Sequence, residues 1–237
     1  MRAETAARLL ELNCQFYQTF AAPFAATRLR LQPGVKRILE AVNLDASLLD
    51  LGCGSGELAR ALARRAQRGP YAGLDFSPRL LDAVGELPAH FSLVQADLTA
   101  PGWEVLLPGR AWNWVTAFAC LHHLPGSWAR RELLQRIHAL LAPGGCLAHS
   151  EWQFLESEKL RMRIQPWESI GLSTEEVEPG DYLLDWREGG RGLRYVHAFS
   201  EAELGELATA SRYRVRESFH ADGANGRLGL YQIWEEG

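Results

Sequence analysis

Three glycines on alternate positions, Gly52, Gly54 and Gly56, stand behind Asp50 and ahead of Glu57. Glycine takes positive φ without penalty and lets a ligand come close to the backbone, so this turn has the chemistry of a binding loop. Its spacing is GxGxG. Glu57 occupies the place where a dinucleotide fingerprint needs its third glycine, which argues against NAD and FAD. Two more carboxylates recur at the ends of apolar runs: Asp75 in Gly73-Leu74-Asp75-Phe76-Ser77-Pro78, and Asp97 in Val94-Gln95-Ala96-Asp97-Leu98. The carboxyl ends of successive strands in a doubly wound sheet meet in one crevice. There, an acid after the second strand is placed to accept from both ribose hydroxyls, and one after the third from an adenine amino group. Each Asp alone could be a helix N-cap, but the three together with the glycine turn imply an adenosine ligand.

The elements that must carry these residues follow from periodicity. Apolar runs at 47–51, 70–75, 91–95, 112–118 and 145–151 read as strands, and the stretches 55–67, 78–86 and 128–141 as helices. That alternation predicts a parallel sheet with helices on both faces. Ahead of it, Ala6, Leu9, Leu10, Leu12, Phe16 and Phe20 predict a helix over 3–20, an irregular connection over 21–32 and a second helix over 34–42. Residues 155–190, with Pro166, Trp167, Pro179, Gly180 and Trp186, break the pattern and read as an inserted cap. Trp152, Trp167 and Trp186 either line an acceptor pocket or fill the core of that cap. Ser200 and Glu203 form a capping box for a helix over 200–210, and strands at 213–220 and 228–235 flank a turn suited to an antiparallel hairpin. We therefore expect one domain: a helical lid (1–45), a cofactor-binding core (46–153), a cap insertion (154–192) and a C-terminal helix with hairpin (193–237).

Composition adds exclusions. Among 237 residues, 47% are hydrophobic and 23% charged, which is ordinary for a globular chain with a sizeable core. The first residues lack a secretory signal pattern and no apolar run is long enough to span a bilayer, so a cytoplasmic location is expected. Cys14, Cys53, Cys120 and Cys146 show neither a disulfide framework nor metal-ligand spacing, so no metal is expected. The net charge of −4 offers nucleic acid no global attraction. Arg60, Arg64 and Arg68 form a basic stripe at helical spacing, better read as a solvated face than as an RNA surface.

Residues 48–150 resemble a class I S-adenosylmethionine-dependent methyltransferase. Asp50-Leu51-Gly52-Cys53-Gly54-Ser55-Gly56 matches that family's first motif, Gly73 to Ser77 its second, and Ala96-Asp97-Leu98 its adenine-binding segment. Phe118-Ala119-Cys120-Leu121-His122-His123-Leu124 stands at its fourth-strand motif, and Leu141 to Leu147 at its turn into strand five. The resemblance implies a seven-stranded Rossmann-like sheet of order 3-2-1-4-5-7-6. It also implies S-adenosylmethionine as cofactor, held by Asp50, Gly52, Gly54, Gly56, Asp75, Phe76, Ala96, Asp97, Leu98 and Phe118. His122 is a candidate to touch the acceptor, while His123 is expected to fix the turn that follows it.

Two outer segments are similar to the tRNA wobble-uridine methyltransferases that esterify a carboxymethyl group. They are Tyr17-x-x-Phe20-Ala21-x-x-Phe24-x-x-Thr27-Arg28 and Arg194-Tyr195-Val196-His197. By that resemblance Tyr17 and Arg28 close over the cofactor, Arg194 and His197 receive an anionic acceptor, and a modified tRNA uridine is the expected substrate. The same likeness admits a helper subunit, for which no residue of this chain speaks. The alternatives are a small-molecule carboxylate, hydroxyl or carbon acceptor, or a module that binds the cofactor without turnover. Aminopropyl transfer from a decarboxylated cofactor is a further option, against which Arg28 argues if it holds a carboxylate.

Overall fold

A computed structural model describes residues 1–27 and 30–237. Its main sheet has seven strands: β1 (Leu48–Leu51), β2 (Tyr71–Asp75), β3 (Phe91–Gln95), β4 (Trp112–Phe118), β5 (Leu141–Trp152), β9 (Tyr213–Ala221) and β10 (Gly229–Glu236). Their order is β3-β2-β1-β4-β5-β10-β9, the topology the resemblance implied; the first five are parallel, β10 runs antiparallel to β5, and β9 is antiparallel to β10. Strand order reverses beside β1, which pairs with β2 on one side and β4 on the other. That is where a crevice opens beyond the carboxyl ends of such strands.

Helices α4 (Glu57–Arg64), α5 (Pro78–Asp82), α6 (Ser127–His138) and α8 (Glu201–Ala210) follow their strands as the periodicity requires. The first two are shorter than 55–67 and 78–86. Gly56 sits at φ +79 as the N-cap of α4, which delays that helix, and α5 gives way before Gly85 at φ +79. Strand β5 starts earlier than expected because Leu141 already pairs with Trp112, the register then shifting across Pro143-Gly144. Two apolar clusters cover the faces of the sheet, one including Leu134, Leu147, Leu204 and Trp234, the other Ile38, Leu48, Leu62 and Tyr231.

The remaining elements form a roof. Helix α1 (Ala3–Thr19) buries Thr5, Leu9, Asn13, Phe16 and Tyr17 along one stripe. The connection expected to be irregular holds a short helix, α2 (Ala21–Ala26), alanine-rich and with Pro23 in its first turn, where a missing N–H is tolerated. Helix α3 (Pro33–Ala41) completes the N-terminal part. After β5, a short helix α7 (Glu158–Arg161) leads into a second, three-stranded antiparallel sheet of β6 (Ile164–Gln165), β7 (Asp181–Trp186) and β8 (Gly192–His197). Strand β8 therefore belongs to the cap sheet. The boundary drawn at 192 cuts through it, because its partner β7 becomes visible only once the sheet is formed.

Helix α1 lies along β8, and Asn13 makes the join. Its side-chain oxygen accepts from the Tyr195 amide (2.8 Å), and its amide nitrogen donates to the carbonyls of Tyr195 (3.1 Å) and His123 (3.2 Å). One side chain thus pairs with the free edge of the cap sheet as a neighbouring strand would, and ties it to the turn after β4. The Asn13→Ala variant removes three hydrogen bonds to backbone groups. Its unfolding free energy in urea should fall by roughly 3 kcal/mol; an unchanged denaturation midpoint would show that the join is dispensable.

Candidate functional site

The glycine turn adopts the backbone that its composition anticipates. Gly52, Gly54 and Gly56 lie at φ +70, +56 and +79. A Cβ at Gly56 would strike Val84, whereas one at Gly54 would meet no atom within 4 Å. Conformation therefore demands glycine at 54, and the space in front of it is free for a ligand. Behind the turn, the carboxylate of Asp50 is buried and accepts from the Tyr71 hydroxyl (2.9 Å) and from Thr116 Oγ1 (2.8 Å). Burial pushes its pKa up to about 7 against those two hydrogen bonds, with nearby Asp75 adding to the rise. Asp75 accepts from the Gly54 amide (2.9 Å) and the Ser77 amide (2.9 Å), which couples the end of β2 directly to the glycine turn. Burial raises its pKa too, opposed by the backbone amides of Ser77, Gly54 and Phe76.

Asp97 is exposed and accepts from the Thr99 amide (2.8 Å) and hydroxyl (2.7 Å), fixing the turn that also carries the buried Ala96 and the half-buried Leu98. Phe118 ends β4, facing Tyr231 at 6.2 Å. The Tyr17 ring meets Phe76 edge-on at 6.1 Å, and Arg79 donates to the Gln18 carbonyl, so the end of α1 lies across the turn after β2. Arg28, the other residue expected to close over the cofactor, lies outside the described residues.

On the acceptor side the three candidates separate. Arg194 is 5% exposed, and its Nε is buried without a hydrogen-bond partner. Its guanidinium lies 4.8 Å from the ring centre of Trp152, 5.4 Å from Phe16 and 5.6 Å from Trp186. The tryptophans thus have different fates: Trp152 and Trp186 flank this arginine, whereas Trp167 fills the cap core with Leu9, Leu172, Leu183 and Tyr195. His122 is buried, with Nδ1 2.9 Å from Glu151 Oε2. His123 differs from the expectation that it fixes its own turn: Nδ1 faces the Tyr195 carbonyl (3.3 Å) and Nε2 the Tyr17 hydroxyl (2.7 Å).

His197 is corrected. Its Nδ1 is 2.7 Å from Asp181 and its Nε2 2.8 Å from Glu203, so both ring nitrogens are committed and neither is left for an acceptor. Burial pulls its pKa down, but those two hydrogen bonds overcome it and the result is raised. The same network includes buried Arg130, which reaches Glu178 (2.8 Å) and the Tyr195 hydroxyl (3.4 Å), while that hydroxyl donates to Asp181 (2.6 Å). It anchors the cap sheet to α6 and α8. Glu151 and Asn13 carried no signal in the chain, because His122, which Glu151 meets, and the partners of Asn13 are distant in sequence.

Comparison with known proteins agrees with this geometry. A family profile described as "Methyltransferase domain" matches residues 24–216. A trans-aconitate 2-methyltransferase of Pseudomonas aeruginosa is 32% identical over 185 residues, covering 77% of this chain and 58% of that protein. The chain thus spans a little over half the length of that curated relative. Among solved structures, a SAM-dependent methyltransferase from Methanosarcina mazei superposes with a TM-score of 0.65 at 20% identity, covering 88% of this chain and 99% of the other. The 1,6-didemethyltoxoflavin-N1-methyltransferase of Burkholderia thailandensis, with 1,6-didemethyltoxoflavin and S-adenosylhomocysteine bound, gives a TM-score of 0.66 at 18% identity, covering 100% of this chain and 91% of the other. At those identities the likeness is one of fold. Among the described residues, no helix is long and apolar enough to cross a membrane.

The free space at Gly54 and the buried acids behind it fit the methionine and ribose ends of S-adenosylmethionine. Asp75→Ala should weaken its binding more than about tenfold by calorimetry, the loss of a charged hydrogen-bond partner; unchanged affinity would refute the assignment. Asp50 gives a pH signature. Its folded pKa lies above the 3.8 of the free side chain, so the cofactor-free protein holds a proton that the unfolded chain releases. Stability should therefore fall as pH rises from about 4 to about 7. Affinity for the cationic cofactor should rise over the same window as Asp50 ionises, and a flat titration would exclude this coupling.

Proposed function

The chain belongs to the class I S-adenosylmethionine-dependent methyltransferases, and from that premise we propose that it methylates a carboxylate of a small anionic acceptor. The observation that carries this reading is Arg194. A buried charge without a counter-ion is expensive, and among the described residues no carboxylate pairs with it. Three aromatic rings surround the guanidinium, excluding water and fixing its plane, and its N–H groups suit a carboxylate in bidentate fashion. An acceptor carboxylate would supply the missing partner.

When bound, S-adenosylmethionine supplies an electrophilic methyl group on a sulfonium. A carboxylic acid ordinarily ionises near pH 4, so at neutral pH the acceptor attacks without losing a proton and the chain needs no general base. What the residues supply is alignment and exclusion of water. The glycine turn and Asp75 hold the cofactor end, Tyr17 bridges the two sides between Phe76 and His123, and Arg194 orients the acceptor from the roof.

Relatives named trans-aconitate 2-methyltransferase support a small acid over tRNA as acceptor. So do the arginines of the basic stripe, Arg60 and Arg64 on α4 and Arg68 beyond its end. Arg60 donates to the carbonyls of Ser55 and Val84, and Arg68 pairs with Asp45, so two of its three guanidinium groups have partners within the chain. The test is transfer of labelled methyl to trans-aconitate, to a panel of other di- and tricarboxylic acids and, in parallel, to total tRNA. Label should appear in base-labile esters of a small acid. Arg194→Met should raise the acceptor KM about 10- to 100-fold while leaving cofactor affinity unchanged. Label in tRNA alone, or an unaltered KM, would overturn the proposal.

A further inference from the structure

Beneath the acceptor side lies a buried cluster that the transfer as described leaves unused. Glu151, the penultimate residue of β5, is fully enclosed and sits between two imidazoles. Its Oε2 is 2.9 Å from His122 Nδ1, and its Oε1 is 3.0 Å from His149 Nδ1. The backbone N–H of Trp152 also points at His122 Nδ1, at 3.4 Å. We propose that Glu151 is a positioning residue: an uncharged carboxylic acid whose O–H donates to His122 Nδ1. It thereby keeps the His122 proton on Nε2, where the ring serves as a neutral hydrogen-bond donor to the methyl acceptor.

The Trp152 amide decides the direction of the bond. A backbone N–H can only donate, so the ring nitrogen it addresses must carry a lone pair. With Nδ1 an acceptor, the proton between it and Glu151 belongs to the carboxyl group, and the single proton of the neutral ring is on Nε2. The converse arrangement, a carboxylate facing an imidazolium, would set the Trp152 N–H against another N–H. His149 agrees with the first arrangement. It is completely buried and packed edge-on against Trp234 at 4.4 Å, which makes it a neutral ring able to donate one Nδ1–H to Oε1. An acid proton on Oε2 and an acceptor lone pair on Oε1 satisfy both neighbours at once. Burial raises the Glu151 pKa well above the ordinary range, opposed by a hydrogen bond from the His122 backbone and by Arg130, with Glu203 adding to the rise.

An Nε2–H donor cannot take a proton from an acceptor, but it can hold one oxygen of an acceptor that is already ionised. The final step, donation to the acceptor, rests on the carboxylate reading given above. The role of Glu151 towards His122 does not.

Glutamine reproduces a neutral acid, since its amide NH₂ can donate to His122 Nδ1 and its carbonyl can accept from His149. It cannot replace a carboxylate. Three proteins separate the possibilities: the full chain, E151Q and E151A, each studied by ¹⁵N NMR of labelled histidine and by methyl transfer. In the full chain and in E151Q, His122 should show the Nε2–H tautomer between pH 6 and 8, and the kcat of E151Q should stay within about threefold. E151A should lose about 100-fold in kcat with little change in acceptor KM, the mark of lost alignment. An imidazolium or an Nδ1–H tautomer at His122 in the full chain, or an E151Q as impaired as E151A, would overturn the inference. If E151A does not fold, the tautomer of the full chain and the E151Q comparison still decide. Should no acid be methylated while His122 keeps its Nε2–H form in both proteins, the acceptor reading fails and the Glu151 assignment stands.

Discussion

The structure depends on one backbone constraint: the chain must leave β1 through three left-handed residues within five positions. Only glycine does this cheaply, and the consequence reaches well beyond the turn. Left-handed geometry sets the Gly54 amide against Asp75, so the first two strands are coupled through a backbone-to-carboxylate bond as well as through their ladder. Asp50, still within β1 ahead of the turn, points into the protein, where Tyr71 of β2 and Thr116 of β4 hold it from either side. Three parallel strands thus present one prepared surface where the order of the sheet reverses.

The roof over that surface shows two ways of treating buried charge. One group is neutralised internally: Arg130, Glu178, Asp181, His197 and Glu203 satisfy one another and fasten the cap sheet to two core helices. The other is Arg194, surrounded by aromatic rings and given no acid among the described residues. Both lie on or against the short strand β8, three residues apart, yet one side chain serves attachment and the other remains available for binding. Glu151 adds a third treatment, in which a carboxyl group held neutral between two imidazoles takes part in hydrogen bonding without adding a charge.

The histidines show where sequence reading stops. His122 and His123 are adjacent, and their place after β4 marks them as residues near the acceptor. Their partners, Glu151 and Tyr17, lie 29 and 106 positions away, so no local pattern assigns them separate tasks. His197 resembles a site residue by its neighbours in the chain, but folding places Asp181 and Glu203 on its two nitrogens. Asn13 is the extreme case, bonding to Tyr195 at a separation of 182 residues. Its side-chain type gives no hint that it will stand in for a strand.

By itself the sequence determined the order of the seven sheet strands, the glycine turn, the acids at the strand ends and the class of cofactor they suit. The turn and the acids are consequences of local rules, namely alternation of apolar runs, the steric freedom of glycine and the convergence of parallel strand ends, whereas the strand order and the cofactor follow from the resemblance of residues 48–150 to the methyltransferase family. Only the tertiary structure decided that a second sheet roofs the site, that β8 is part of it, that Asn13 seals its edge, and that Arg194 has no acid beside it among the described residues. Those outcomes depend on which side chains meet across long stretches of chain. Whether a buried charge is balanced is a property of the folded neighbourhood, and no spacing along the chain encodes it.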